Sequence, residues 1–239
     1  SLDNVTVVDD TLTTLQQLAA YHRTALGTTI VGITGTNGKT TTKELIATVL
    51  SKKYKTYATQ GNLNNHIGVP LSLLNITKEH DIAVIEMGAN HPGEIATLAA
   101  LVKPNSGLIT NVGMAHIEGF GSFEGVKKTK AELYSQIKKD DGTIFINTSN
   151  PYLTELLGDY DKCFSYAIES ISGIIGGHVA EKGETLNLEW NYNNGQYFNV
   201  NTQITGAYNL ENVLAAVAVG CFYNVSNNDI CEAISLYKP

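Results

Sequence analysis

Short apolar runs alternate with amphipathic stretches along the first 150 residues. Thr29–Thr34, Thr56–Ala58, Ile82–Ile85, Leu108–Thr110 and Thr143–Ile146 are the runs. Helical spacing between them predicts helices over 41–53, 66–75, 93–102 and 123–139. That alternation calls for a parallel sheet covered by helices. The near-continuous Ile82-Ala83-Val84-Ile85 suits a strand buried on both faces. Upstream, residues 11–26 read as one helix, with Leu12, Leu15, Leu18 and Ala19 on one face, followed by a short linker. From about Tyr160 the texture changes. Residues 184–204 alternate polar and apolar around Asn193-Asn194-Gly195, a hairpin signal. A helix is predicted over 207–223, with Leu210, Val213, Leu214 and Val217 turned inward. The expected fold class is therefore α/β: a mostly parallel sheet flanked by helices, with a small antiparallel ribbon in the C-terminal third.

Bulk properties narrow the function classes. The 239 residues are 43% apolar, enough for one large domain or two small ones. A net charge of −7 with no basic patch argues against nucleic acid as a partner. Cys163, Cys221 and Cys231 lack metal or redox spacing and read as packing thiols of a reducing, cytoplasmic compartment. No stretch has the length of a membrane span, so no membrane partner is expected. The chain starts at Ser1 without an initiator Met and ends at Pro239 just after a helix-like segment. A piece of a longer protein, monomeric, is the expectation.

The chemistry begins at Gly35-Thr36-Asn37-Gly38-Lys39-Thr40-Thr41, between the run Ile30–Ile33 and a helical segment carrying Leu45, Ile46, Val49 and Leu50. A strand, a glycine-rich turn and a helix N-terminus, in that order, form a phosphate cradle. Backbone N–H groups point at the anion and the helix dipole favours negative charge. Lys39 would reach the terminal phosphates and the Thr40 hydroxyl would ligate Mg²⁺. The loop is shorter than the usual pattern, because Ile33 stands five positions before Gly38. Glu86 ends the run 82–85, where a carboxylate beside a phosphate loop holds Mg²⁺. Asn111 ends the next run and His116 follows it; an imidazole there suits either a divalent metal or an ordinary loop hydrogen bond.

Lys130 sits within an apolar stripe. Val126, Lys130, Leu133 and Ile137 share one face of their helix, so Lys130 should point toward the sheet, whereas Lys127 and Lys128 fall off the stripe and should be solvated. Burial lowers a lysine's pKa, and a neutral amine can take up CO₂ as a carbamate. A snorkelling lysine whose stem covers apolar surface is the other reading.

Four motifs in order carry a resemblance. They are Gly35–Thr41, Gly61–Pro70 (Gly-Asn-Leu-Asn-Asn-His-Ile-Gly-Val-Pro), Glu86-Met87-Gly88-Ala89-Asn90 and His116-Ile117-Glu118-Gly119-Phe120-Gly121-Ser122. Together they resemble the ATP-dependent Mur ligases over about residues 28–225. Within that family they are most similar to the branch that joins D-alanyl-D-alanine to UDP-N-acetylmuramoyl-tripeptide, and those two molecules are the implied substrates.

The resemblance implies an order of domains. Residues 1–27 would be the tail of an N-terminal uridine-nucleotide domain, 28–225 the central ATP domain, and 226–239 a final helix leading to a further domain. It also implies roles. Lys39 and the loop from Gly35 to Thr41 would hold ATP phosphates, and Asn209 and Asn212 would contact adenine, although Asn also caps helices. Thr40 and Glu86 would ligate one Mg²⁺; His116 and a carbamate on Lys130 would ligate a second. Asn62, Asn64 and Asn65 would lie toward the peptide substrate, or simply make turns. Lys39, His116 and Lys130 are thus the catalytic candidates. Two positions depart from the family: Asn147-Thr148-Ser149-Asn150 replaces Asn-Ala-Asp, and Tyr208 stands where His often precedes the adenine-contacting Asn. The same chemistry on a different acid, as in folylpolyglutamate synthases, and a non-catalytic nucleotide module remain as alternatives. The isolated chain is expected to bind ATP without catalysing ligation.

Overall fold

The computed structural model describes residues 4–114, 117–169, 174–181 and 183–239. The first helix, α1 (Thr11–Leu26), opens with the Asp10 carboxylate accepting from Thr13 N at 2.6 Å and stops at Gly27, whose φ of 66° suits a residue without Cβ. Then come β1 (Thr29–Thr34), α2 (Lys39–Leu50), β2 (Thr56–Ala58), α3 (Gly68–Leu74) and β3 (Ile82–Glu86). They are followed by α4 (Glu94–Val102), β4 (Ser106–Ile109), α5 (Ile117–Phe120), α6 (Phe123–Lys139) and β5 (Thr143–Asn147). The remainder is α7 (Pro151–Leu157), β6 (Cys163–Ile168), β7 (Ile175–Glu181), β8 (Thr185–Tyr192), β9 (Tyr197–Thr205), α8 (Leu210–Phe222) and α9 (Asn227–Leu236).

Among the described residues the strands make one nine-stranded sheet in the order β2-β3-β1-β4-β5-β6-β7-β8-β9. Every pairing is parallel as far as β7; β7–β8 and β8–β9 are antiparallel. The expected fold class is therefore what forms, with β6 and β7 extending the parallel part beyond the five runs read in the sequence. The ribbon turns at Asn193-Asn194, φ 49° and 55°, and Gly195 N donates back to Tyr192 O at 2.9 Å. Two consecutive left-handed residues match the twist of the strands, and Asn tolerates that conformation.

Strand alternation divides the core into two layers. Val31, Ile33, Val84, Leu108 and Phe145 face α2, α8 and α9, whereas Ile30, Ala83, Ile85, Ile109 and Ile144 face α3, α4 and α6. Each fully buried aliphatic side chain contributes about 1.5–3 kcal/mol, so central strands buried on both faces hold the sheet firmly. Arg23 of α1 clasps the far end of α4: its guanidinium donates to the carbonyls of Val102 (2.9 Å) and Lys103 (3.1 Å) and to Asn105 Oδ1 (3.2 Å). Among the described residues no helix is long and apolar enough to cross a membrane.

The stripe on α6 behaves as its spacing predicts, for Val126, Lys130, Leu133 and Ile137 are all buried. Lys127 does not. It was expected to be solvated, yet it is buried, with Nζ 2.6 Å from Glu155 on α7. The partner lies on the next helix, so the period of α6 alone could not reveal it. Lys128 is exposed as expected.

Candidate nucleotide and acceptor site

Strand order reverses around β1, which lies between β3 and β4 although β2 follows it in sequence. Ligands of open parallel sheets bind at the carboxyl ends of the strands where the order turns. The glycine-rich loop leaves β1 there. Gly35 has φ 149°, and a Cβ on it would collide with the Thr110 side chain. Gly38, φ 75°, is the N-cap of α2 and supplies no side chain, which leaves the first-turn N–H groups of that helix directed at the crevice.

Neighbouring strand ends hold the loop in shape. Thr36 N donates to Asn111 O (3.0 Å), Asn37 N to Asn111 Oδ1 (3.0 Å), and Thr110 Oγ1 to Asn37 O (2.6 Å). Lys39 Nζ donates to the carbonyls of Gly35 and Thr36, both at 3.0 Å. Burial lowers its pKa and Glu86 opposes that shift.

Glu86 is 1% exposed at the end of β3, and three residues fix it. Thr40 Oγ1 donates to Oε2 (3.1 Å), Asn64 Nδ2 donates to Oε1 (2.8 Å), and the Glu86 amide donates to Thr59 Oγ1 (3.0 Å). A buried carboxylate beside a hydroxyl at a phosphate loop is a hard oxygen set of the kind Mg²⁺ takes, so these residues fit the ion. Asn64 thereby joins the Asn-rich loop to the phosphate loop. The contact is close, since Gly88 N donates to Asn64 O (2.7 Å) and a Cβ on Gly88 would press on the Asn64 amide.

A cleft of about 850 Å³ opens beside this centre. It is lined by Gly35, Thr36 and Lys39 of the phosphate loop, by Asn62, Asn64 and Asn65, by residues 88–94, and by Phe120 and Lys130. Lys130 is 3% exposed, its ammonium 5.5 Å from the Phe120 ring centre. Burial and the nearby Lys39 push its pKa down to about 8, against the opposing pull of Glu132 and Glu94. Its inward aim agrees with the buried reading of the stripe. His116 lies outside the described residues.

A second pocket, about 560 Å³, lies on the other side of the loop between Asn37–Gly38, Asn111 and residues 207–212. Asn209 and Asn212 both line it. They form a relay: Thr42 Oγ1 donates to Asn212 Oδ1 (3.0 Å), Asn212 Nδ2 to Asn209 Oδ1 (2.8 Å), and Asn209 Nδ2 to Thr205 O (2.8 Å). Neither residue caps α8 through its side chain. Glu211 lines the same pocket, its carboxyl raised by burial. Sequence reasoning missed Glu211, Thr42 and Thr110 as parts of the site, and it noted Asn111 only as a strand end; the partners of Thr42, Thr110 and Asn111 lie 73 or more residues away, out of reach of local pattern.

The Mur ligase middle domain family matches residues 33–220. The UDP-N-acetylmuramoyl-tripeptide–D-alanyl-D-alanine ligase of Bacillus subtilis (strain 168) is 36% identical over 234 residues, covering 98% of this chain and 50% of that protein. MurF from Acinetobacter baumannii superposes with a TM-score of 0.88 at 33% identity, over 98% of this chain and 51% of that one. MurF ligase from Thermotoga maritima, solved in complex with ADP, gives 0.86 at 29% identity, over 99% and 55% respectively. The chain spans about half the length of the curated relatives it matches. The phosphate loop, the buried Glu86 and the family match together establish that this chain belongs to the Mur ligase family, whose middle domain it carries.

Proposed function

We propose that this chain is the ATP-binding part of an amide ligase that joins D-alanyl-D-alanine to UDP-N-acetylmuramoyl-tripeptide in peptidoglycan precursor synthesis. The observation that carries the reading is the link Thr40–Glu86–Asn64, which sets a Mg²⁺-type oxygen pair between the phosphate loop and a large cleft. The relatives named for that ligation support the choice of substrates. The neighbour holding ADP supports the choice of nucleotide.

In this reading the loop from Gly35 to Thr41 holds the β- and γ-phosphates with Lys39 and with the N–H groups of Gly38 to Thr41, Thr36 N and Asn37 N being tied to Asn111, while Asn209 and Asn212 present amides to adenine. Lys39 must leave the Gly35 and Thr36 carbonyls to do so, a short swing of a flexible stem. Thr40 and Glu86 would hold one Mg²⁺; Lys130 as a carbamate, with His116, would hold a second. Bound there, the ions would neutralise the repulsion between the γ-phosphate and the acceptor's carboxylate. Carbamate formation joins neutral Lys130 Nζ to CO₂ and releases one proton, which a pKa of about 8 favours. Asn62, Asn64 and Asn65 orient the peptide end of the acceptor.

The acceptor carboxylate attacks the γ-phosphate and ADP leaves, giving an acyl phosphate. The amine of D-alanyl-D-alanine attacks that carbonyl and phosphate departs, leaving the amide. The protein's part is alignment and charge neutralisation, with no protein nucleophile. We place residues 1–27 and 226–239 as connections flanking a central unit of 28–225, and expect these 239 residues alone to bind ATP without turnover. The test is phosphate release by the full-length enzyme: it should require ATP, the UDP-sugar tripeptide and D-alanyl-D-alanine together. Release with folate and glutamate instead would overturn the substrate assignment.

A further inference from the structure

The wall of the large cleft formed by residues 88–93 has an unusual support. Helix α4 is preceded at its N-cap by Gly93, φ 84°, which has no side chain to cap the helix. Its first-turn N–H groups are met instead from another helix. The Glu132 carboxylate on α6 accepts from Gly93 N at 2.9 Å with one oxygen and from Ala96 N at 2.8 Å with the other. A carboxylate at a helix N-terminus gains both charge-assisted hydrogen bonds and the helix dipole. Glu94, relieved of that task, folds back so that Oε2 accepts from Asn90 N (2.6 Å) and His91 N (3.0 Å). Two carboxylates thus anchor four backbone N–H groups around one short loop. The loop is also clamped from above, since Gly119 packs so closely on the Asn90 carbonyl that a Cβ there would collide.

Residues 130 and 132 are about 200° apart around α6. One helix therefore aims Lys130 into the cleft and sets Glu132 under α4. We propose that Glu132 is a positioning residue of the ligase: it holds the 88–93 wall at a fixed distance from Lys130, so that the acceptor's reacting end is aligned between them. The proposal rests on the ligase reading above. Glu132 does not line the cleft itself; it acts there through the loop and through the pull of its charge on Lys130. Glu132→Gln removes that charge as fully as Glu132→Ala, so any difference between the two variants reports the loop contact.

The experiment compares wild type, Glu132→Ala and Glu132→Gln in the full-length enzyme, with two readouts. Kinetically, Glu132→Ala should lower kcat/KM for the UDP-sugar acceptor by about 10²-fold, the scale of a 1 Å misalignment, while KM for ATP stays as in wild type. Glu132→Gln keeps one acceptor oxygen and should recover part of the loss. By hydrogen exchange, the amides of residues 90–96 should lose protection in Glu132→Ala while those of β1 and α2 keep theirs. An unchanged acceptor kcat/KM, or a KM for ATP that rises as much as that for the acceptor, would overturn the proposal. If wild type forms no amide from these substrates, the ligase reading falls by itself. Exchange then decides: unchanged protection at 90–96 in Glu132→Ala overturns the role of Glu132, and localised loss supports it.

Discussion

Lys130 offers a sharp physical test because its burial is costly in a pH-dependent way. Its pKa moves from 10.5 to about 8 through burial and the neighbouring Lys39. Between those values the unfolded chain holds a proton that the folded chain has lost, so stability rises with pH there. Below about pH 8 the folded protein carries the full penalty of a charged ammonium at 3% exposure. The displacement corresponds to on the order of 3 kcal/mol. Lys130→Met keeps the stem and removes the charge. Urea unfolding of wild type and variant in CO₂-free buffer should show the variant's advantage shrinking between pH 8 and 10.5 by up to that amount. Groups remote from Lys130 that titrate in this range cancel in the difference. A stability gap that stays constant across the range would refute the assignment of a buried, cleft-facing ammonium.

Other expectations follow from the same geometry. With ¹³C-labelled bicarbonate, a carbamate resonance should grow as pH rises through about 8 and be absent in Lys130→Met; a signal in the variant would place the modification elsewhere. Gly38→Ala should cost about 1–2 kcal/mol, because Ala is strained at φ 75° and its Cβ would lie 2.6 Å from Asn212 Oδ1. Thermal melts and ATP titration should both register that loss, and a wild-type melting point would contradict it. Asn64→Ala removes the outer partner of Glu86 and should weaken Mg²⁺ binding by about 10–100-fold, read as a higher Mg²⁺ requirement for ATP binding. An unchanged Mg²⁺ dependence would mean that Asn64 does not orient that carboxylate.

What the sequence made legible is what local spacing encodes. The β1–loop–α2 unit is contiguous, so strand period, glycines and helix start appear together. Lys130 was readable because three apolar neighbours on its own helix define the buried face. The helix over 207–223 was foreseen, but its first three residues form a 3-10 turn, which local period does not distinguish. Lys127 misled for the opposite reason, since its burial comes from Glu155 on another helix. Helix α7 was overlooked although Asn150-Pro151 marks its start: the Asn150 carboxamide oxygen accepts from Tyr152 N at 3.1 Å and proline occupies the first turn. The Asn212–Thr42 contact spans 170 residues, so the closing of the second pocket onto the phosphate loop emerges only in the fold.

The central claim is that a triphosphate with its metal docks at the turn between β1 and α2. Isothermal titration of this chain with ATP should give a saturable heat in the presence of Mg²⁺. That heat should fall on chelation of the metal and vanish in Lys39→Ala. A chain that takes up no ATP with Mg²⁺ present, or whose Lys39→Ala variant binds as tightly as wild type, would contradict the account.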